Sequence, residues 1–228
     1  MEQCCYLVPN FQTKLNLLDH LLKDESLFSR VLIFTKTKAS ANRVYQHLYA
    51  YLKDSIRLIH SNKGQNTRIH TYQLFKEGEL RVMVATDVMA RGIDIKDISH
   101  VINFDVPVVY EDYVHRIGRT GRAFRTGSAI TFVTSADNYH RKKIEEKIKM
   151  FIPQEEIPAA VIITESPFEE AQAMAREIDK QKMKENPEYK GAFHEKKNFK
   201  TKQKAKACLL YTSPSPRDRT RSRMPSSA

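Results

Sequence analysis

The chain of 228 residues has no tryptophan, three cysteines and seven glycines. Cys4 and Cys5 are adjacent and Cys208 is remote, a spacing that makes neither a disulfide framework nor a metal knuckle. Such usage fits a reducing, cytoplasmic setting. No apolar run approaches the roughly 18 residues that a membrane span needs, and no signal peptide opens the chain, so no membrane partner is expected. Acidic residues are missing from one stretch in particular, "YVHRIGRTGRAFRTGS", residues 113–128. It holds His115, Arg116, Arg119, Arg122 and Arg125, and three of the seven glycines, Gly118, Gly121 and Gly127.

What is present bounds the answer further. A hydrophobic fraction of 41% is enough for one well-filled core plus extra segments. A formal charge of +11 makes a polyanionic partner plausible, although excess lysine also serves solubility alone. The last segment, "CLLYTSPSPRDRTRSRMPSSA", changes character abruptly. Residues 208–218 resemble the translation of a transposase-type sequencing-library adapter. Residues 222–228 resemble the translated flow-cell adapter, in the same frame and at the right gap. Residues 208–228 are therefore read as an artefact, with the native gene cut short near Ala207. Its four Arg and one Asp account for +3 of the charge and leave +8 for the rest.

Periodicity in the remainder alternates. "FQTKLNLLDHLL", "KASANRVYQHLYAYL", "GQNTRIHTYQLFKEG", "YEDYVHRIG" and "ADNYHRKKIEEKIKMF" have helical spacing, the third closed by Gly78. Between them lie "RVLIFT", "IRLIH", "LRVMVAT", "ISHVINFDVP" and "GSAITFVT", short and nearly all apolar. Strands of that kind alternating with helices predict an α/β fold, a parallel sheet flanked by helices on both faces. Loops leaving the carboxyl ends of such strands build the site, which singles out "FTKTK", "HSNKGQ" and "ATDVMARGID". The globular domain is assigned to residues 1–166. Residues 167–207 follow as a charged helix and a lysine-rich extension. From 189 to 207 there are seven Lys and one acid, with Tyr189, Phe193 and Phe199 interspersed. Such a stretch cannot bury a core, and it suits a nucleic-acid backbone and stacked bases or solvent alone.

In the basic stretch, His115 and Arg119 are four apart and Arg119 and Arg122 three apart, so they share a helix face. Like charges there repel unless an anion lies between them. Arginine supplies a permanent charge and a planar fork for phosphate oxygens. The pattern points to a phosphate clamp for phosphoryl transfer. In "VATDVMARGIDI", residues 84–95, Thr86 offers a hydroxyl, Asp87 orients the turn, Gly92 permits close approach, and Asp94 can accept from a ribose hydroxyl.

These strings resemble a known family. "HRIGRTGR" looks like motif VI of DEAD-box RNA helicases, "ATDVMARGID" like motif V, "VLIFTKTK" like motif IV, and Gln65 with Arg68 like its Gln-x-x-Arg element. The lysine-rich extension resembles those of bacterial members. The resemblance implies the second RecA-like domain, P-loop-NTPase-like, of a two-domain motor. It implies that Arg119 and Arg122 are arginine fingers for ATP, that Asp94 binds its ribose, and that His115 and Arg116 couple to the first domain. It implies that Thr86 and Gly92 line the RNA path, with Arg68 on a phosphate and Phe34 and Thr35 beside it. RNA contacts would be mostly to the backbone. No GxxxxGKT, Asp-Glu-Ala-Asp or Ser-Ala-Thr occurs, so the Mg²⁺ ligands belong to an N-terminal domain missing from this chain, and Met1 reads as an internal or truncated start. The alternatives are a non-catalytic RNA-binding module that uses the basic tail, and a superfamily 2 DNA helicase fragment. The wording of "HRIGRTGR" favours the RNA branch.

Overall fold

The computed structural model describes residues 2–87, 98–120, 127–186 and 188–189. Among them, seven strands form one all-parallel sheet: β1 (Glu2–Leu7), β2 (Val31–Thr35), β3 (Ile56–Ile59), β4 (Val82–Thr86), β5 (His100–Asn103), β6 (Ser128–Val133) and β7 (Gln154–Glu155). Their spatial order is β3-β4-β2-β5-β6-β1-β7. Six α-helices accompany them: α1 (Phe11–Leu22), α2 (Lys38–Leu52), α3 (Gln65–Glu77), α4 (Tyr110–Ile117), α5 (Asn138–Ile148) and α6 (Phe168–Glu185). The predicted α/β class is therefore the observed one.

Alternate strand residues serve opposite faces, which is why the strands are apolar throughout. Ile33, Val84, Ile102, Ile130 and Phe132 pack on one face with Leu15 and Leu18 of α1 and Val44 and Leu48 of α2. Leu32, Phe34, Met83 and Val101 pack on the other face with Phe75 of α3. Ala129 and Val133 meet Tyr113 and Ile117 of α4 and Ile144 of α5. Local chemistry sets the helix ends. Asn10 caps α1, its Oδ1 accepting from the Thr13 N–H at 2.8 Å. Thr37 caps α2 through Ser40 N–H at 3.0 Å. Gly78 closes α3 at φ +87°, a left-handed conformation that favours glycine.

Two strands escape the sequence pattern. β1, "EQCCYL", has one fully buried hydrophobe, Cys5, and no branched run. It is a strand because β6 supplies a parallel partner, Glu2 opposite Ser128 through Leu7 opposite Val133. β7 is two residues long and pairs with Cys5 and Tyr6. Burial, with Glu155 beside it, pushes the Cys4 thiol up to about 11, and burial also raises Cys5. Both cysteines are free thiols.

The chain divides after Ile178 into two compact units. The first takes in the start of α6, which is fastened to α1. Phe11 N–H donates to Glu170 Oε1 at 2.7 Å, and Asn10 Nδ2 donates to the Thr164 carbonyl at 2.6 Å. Among the described residues no helix is long and apolar enough to cross a membrane. The lysine-rich stretch beyond Tyr189 and the adapter-like residues 208–228 lie outside the described residues.

Candidate functional site

The carboxyl ends of β2, β4 and β5 form the floor of the site. In register there, Thr35 faces Thr86, and Phe34 faces Asn103. Asp87 follows β4 directly. From α4, Arg116 reaches down onto this floor. Its Nε donates to Asp87 Oδ1 at 2.5 Å and its Nη2 to Asp87 Oδ2 at 2.8 Å, a bidentate fork. Nη1 donates to Asn103 Oδ1 at 3.1 Å and to the Asp105 carbonyl at 2.8 Å. The guanidinium also lies 5.1 Å from the centre of the Phe34 ring. Asn103 in turn donates to Thr131 Oγ1 on β6 at 3.1 Å.

The Arg116 side chain is 1% exposed, and all three of its nitrogens are engaged within this domain. It grips the floor of the site. Buried charges persist only when paired, and the Asp87 carboxylate provides the pairing. Phe34 and Thr35 are likewise fully buried. Phe34 packs under Arg116, and the Thr35 hydroxyl donates to the Thr37 carbonyl at 3.3 Å. Both side chains thus support the end of β2 and the start of the loop that follows it.

His115 lies on α4, but the helix stops at Ile117, so Arg119 follows two residues past its end instead of sharing the helix face expected from the spacing. His115 is 54% exposed, with Nδ1 3.7 Å from Asp112 Oδ1. Arg119 is half-buried, its Nε donating to the His115 carbonyl at 3.0 Å, which holds the stem of the side chain along the helix end. Thr120 anchors the chain just beyond, Oγ1 donating to the Ile98 carbonyl at 2.7 Å. Gly92, Asp94 and Arg122 lie outside the described residues.

Towards β3 the rim turns basic. His60 follows β3 and is buried; burial first, then the charges of Lys63 and Lys38, lower its imidazole pKa. Lys38 Nζ donates to Asn62 Oδ1 at 2.6 Å. Arg68 lies in the first turn of α3, whose Gly64 N-cap offers no side-chain bond. Its Nε is buried and, among the described residues, has no hydrogen-bond partner. A buried unpaired donor is unfavourable unless a ligand completes it. Thr86 at the β4 end is 7% exposed and sits between this rim and the Arg116 clamp. Sequence reasoning marked the loops that carry Lys36, Lys38 and Lys63, but not those residues, nor Asp87 as the partner of Arg116. Among the described residues no three His, Cys, Asp or Glu side chains converge to hold a metal.

Comparison with known proteins places this arrangement. A family model described as the helicase conserved C-terminal domain matches residues 13–124. The ATP-dependent rRNA helicase RRP3 of Candida glabrata is 41% identical over 143 residues, 63% of this chain and 29% of that protein. The ATP-dependent RNA helicase RhlB of Pseudomonas syringae pv. tomato is 41% identical over 164 residues, 71% of this chain and 40% of that protein. Among solved structures, the E. coli DEAD-box protein SrmB, bound to regulator of ribonuclease activity A, matches with a TM-score of 0.64. It is 34% identical, over 73% of this chain and 97% of that chain. The chain thus spans less than half the length of the two curated relatives.

Proposed function

The chain belongs to the DEAD-box helicase family, as a helicase C-terminal domain, and from that premise we propose that it is the half of an ATP-dependent RNA helicase that completes the nucleotide site and guides RNA. One observation carries the reading. Arg116 of α4 is clamped to Asp87, Asn103 and Asp105 at the strand ends, so the helix bearing His115, with Arg119 just past its end, and the rim bearing Arg68 share one floor.

In the two-domain protein, ATP and single-stranded RNA bind across both domains and draw them together. Arg119 and Arg122 then meet the terminal phosphate and offset the charge that builds on its oxygens during transfer. Asp94 accepts from the ribose. His115 faces the ATPase residues of the other domain. The Mg²⁺ that accompanies ATP is held by that other domain and would supply charge neutralisation there. RNA runs along Thr86, Gly92 and the Lys38–Lys63–Arg68 rim, and its phosphate completes the Arg68 guanidinium. Such contacts read backbone more than base, so sequence preference is weak. Closure bends the bound strand and loosens a short duplex locally. The two curated relatives reported above come from a yeast and a bacterium; the bacterial branch is favoured by the lysine-rich 189–207 composition alone.

Arg119→Ala, made in a protein with both domains restored, tests the assignment. The expected result is loss of RNA-stimulated ATP hydrolysis by about a thousandfold, the usual contribution of an arginine finger, with RNA affinity retained. Unchanged turnover overturns the assignment. The 228-residue chain alone, without P-loop or Mg²⁺ ligands in its sequence, is expected to release no phosphate from ATP.

A further inference from the structure

Asp105, two residues past the end of β5, belongs to none of the strings that suggested function. Yet three helices converge on it. Its Oδ1 accepts from Lys14 Nζ of α1 at 3.0 Å. Its Oδ2 accepts from the Lys36 backbone N–H at 3.0 Å and from Ser40 Oγ of α2 at 2.9 Å. Its carbonyl accepts from Arg116 Nη1 of α4 at 2.8 Å. The first turn of α2 contains no acidic residue, so the Asp105 carboxylate supplies, from another element, the negative charge that a helix start favours. Lys14 is the matching cation. Its side chain is 4% exposed, and its ammonium also stands 3.8 Å from Asp137 Oδ2.

The two ends of this residue therefore act on different faces of the domain. Its carboxylate fixes the loop between β2 and α2, which carries Lys36, and the first turn of α2, which carries Lys38 on the basic rim. Its backbone is held by the arginine that seats α4. Burial alone would raise the Asp105 carboxyl; the Lys14 charge, the Lys36 N–H and the Ser40 hydroxyl outweigh burial and hold it below the usual carboxylate range. It is thus an ionised acceptor at neutral pH, and its hydrogen bonds are of the strong, charge-assisted kind.

We propose that Asp105 is a positioning residue that sets the RNA-facing β2–α2 loop from the same strand end that Arg116 grips beneath the nucleotide-facing helix. The proposal rests on the functional reading above and adds to it a residue outside the motifs. Lys14 serves by keeping that anchor charged.

The test uses the full chain, ¹⁵N-labelled, with a labelled single-stranded oligouridylate as probe. Asp105→Asn and Lys14→Met are expected to weaken binding about tenfold, the effect of losing one charge-assisted hydrogen bond. They are also expected to move the amide resonances of Lys36 and Thr37 together with those of α4. Lys14→Arg keeps the charge and is expected to restore both readouts. Ser40→Ala removes a single hydroxyl bond at a half-exposed site and should shift the same loop resonances, with a smaller loss of affinity. If Asp105→Asn fails to fold, Ser40→Ala decides the matter. Loop resonances that stay in place, with affinity equal to wild type, overturn the proposal. Wild type that does not bind oligouridylate overturns the RNA reading instead, and the resonance shifts in the variants then still decide whether Asp105 anchors the loop.

Discussion

Arg116 and Arg119 are three positions apart, one in the last turn of a short helix and the other two residues past its end, and their surroundings differ. Arg116 is enclosed by Asp87, Asn103, the Asp105 carbonyl and the Phe34 ring. Lysine cannot reproduce that fork, because it presents a point charge where two parallel bonds are needed. Arg116→Lys is expected to destabilise the domain by about 2–3 kcal/mol, below the usual effect of breaking a buried pair because Asp87 keeps some solvent. Urea unfolding measures it. Spacing alone does not separate the two arginines; the difference depends on which acid sits beneath, 29 residues earlier in the chain. Phe34 is similar. A phenylalanine ending an apolar run reads the same whether it packs inward or lines a path. His100 gives a pH prediction. It is buried and stacked on Phe28 at 4.1 Å, and burial lowers its pKa, opposed by Glu2. The unfolded chain therefore takes up the proton more readily, and stability present above the ordinary histidine pKa of about 6.5 is lost as pH falls below it. The melting temperature should drop between pH 7.5 and 5.5, and His100→Phe should remove part of that drop.

At the level of elements, the apolar periods were sufficient wherever a segment's own residues decide its state. α1 shows this, with Leu15, Leu18 and Leu22 at the expected spacing and all buried. α3 shows it too, ending at Gly78 as its composition requires. β1 was illegible because its strand state depends on β6, far along the chain, and on little within "EQCCYL". The fastening of α6 was illegible for the same reason. Asn10 caps α1 and also binds the Thr164 carbonyl and the Ser166 hydroxyl, at 2.6 and 3.3 Å. Asn10→Ala removes the cap and those contacts together. A loss of about 2 kcal/mol is expected, at the upper end of the range for caps. Glu170→Gln, which keeps an acceptor for Phe11 N–H, should lose far less. Denaturant midpoints of the two variants compare them directly.

For the molecule as a whole, charge governs the partner. A chain of net charge +11 whose site rim is basic should bind single-stranded RNA with strong salt dependence. Affinity is expected to fall tenfold or more between about 50 and 200 mM salt, measured by anisotropy. Deleting residues 190–228 should lower both affinity and the steepness of that dependence, since seven lysines go with them. The strand order has a separate implication for biosynthesis. β1 sits between β6 and β7, so this strand has no neighbour in the sheet until residues 128–133 have been translated. Until then β1 is left unpaired beside a half-built sheet, and nascent chains stalled before that point should be cut readily by protease at residues 2–7.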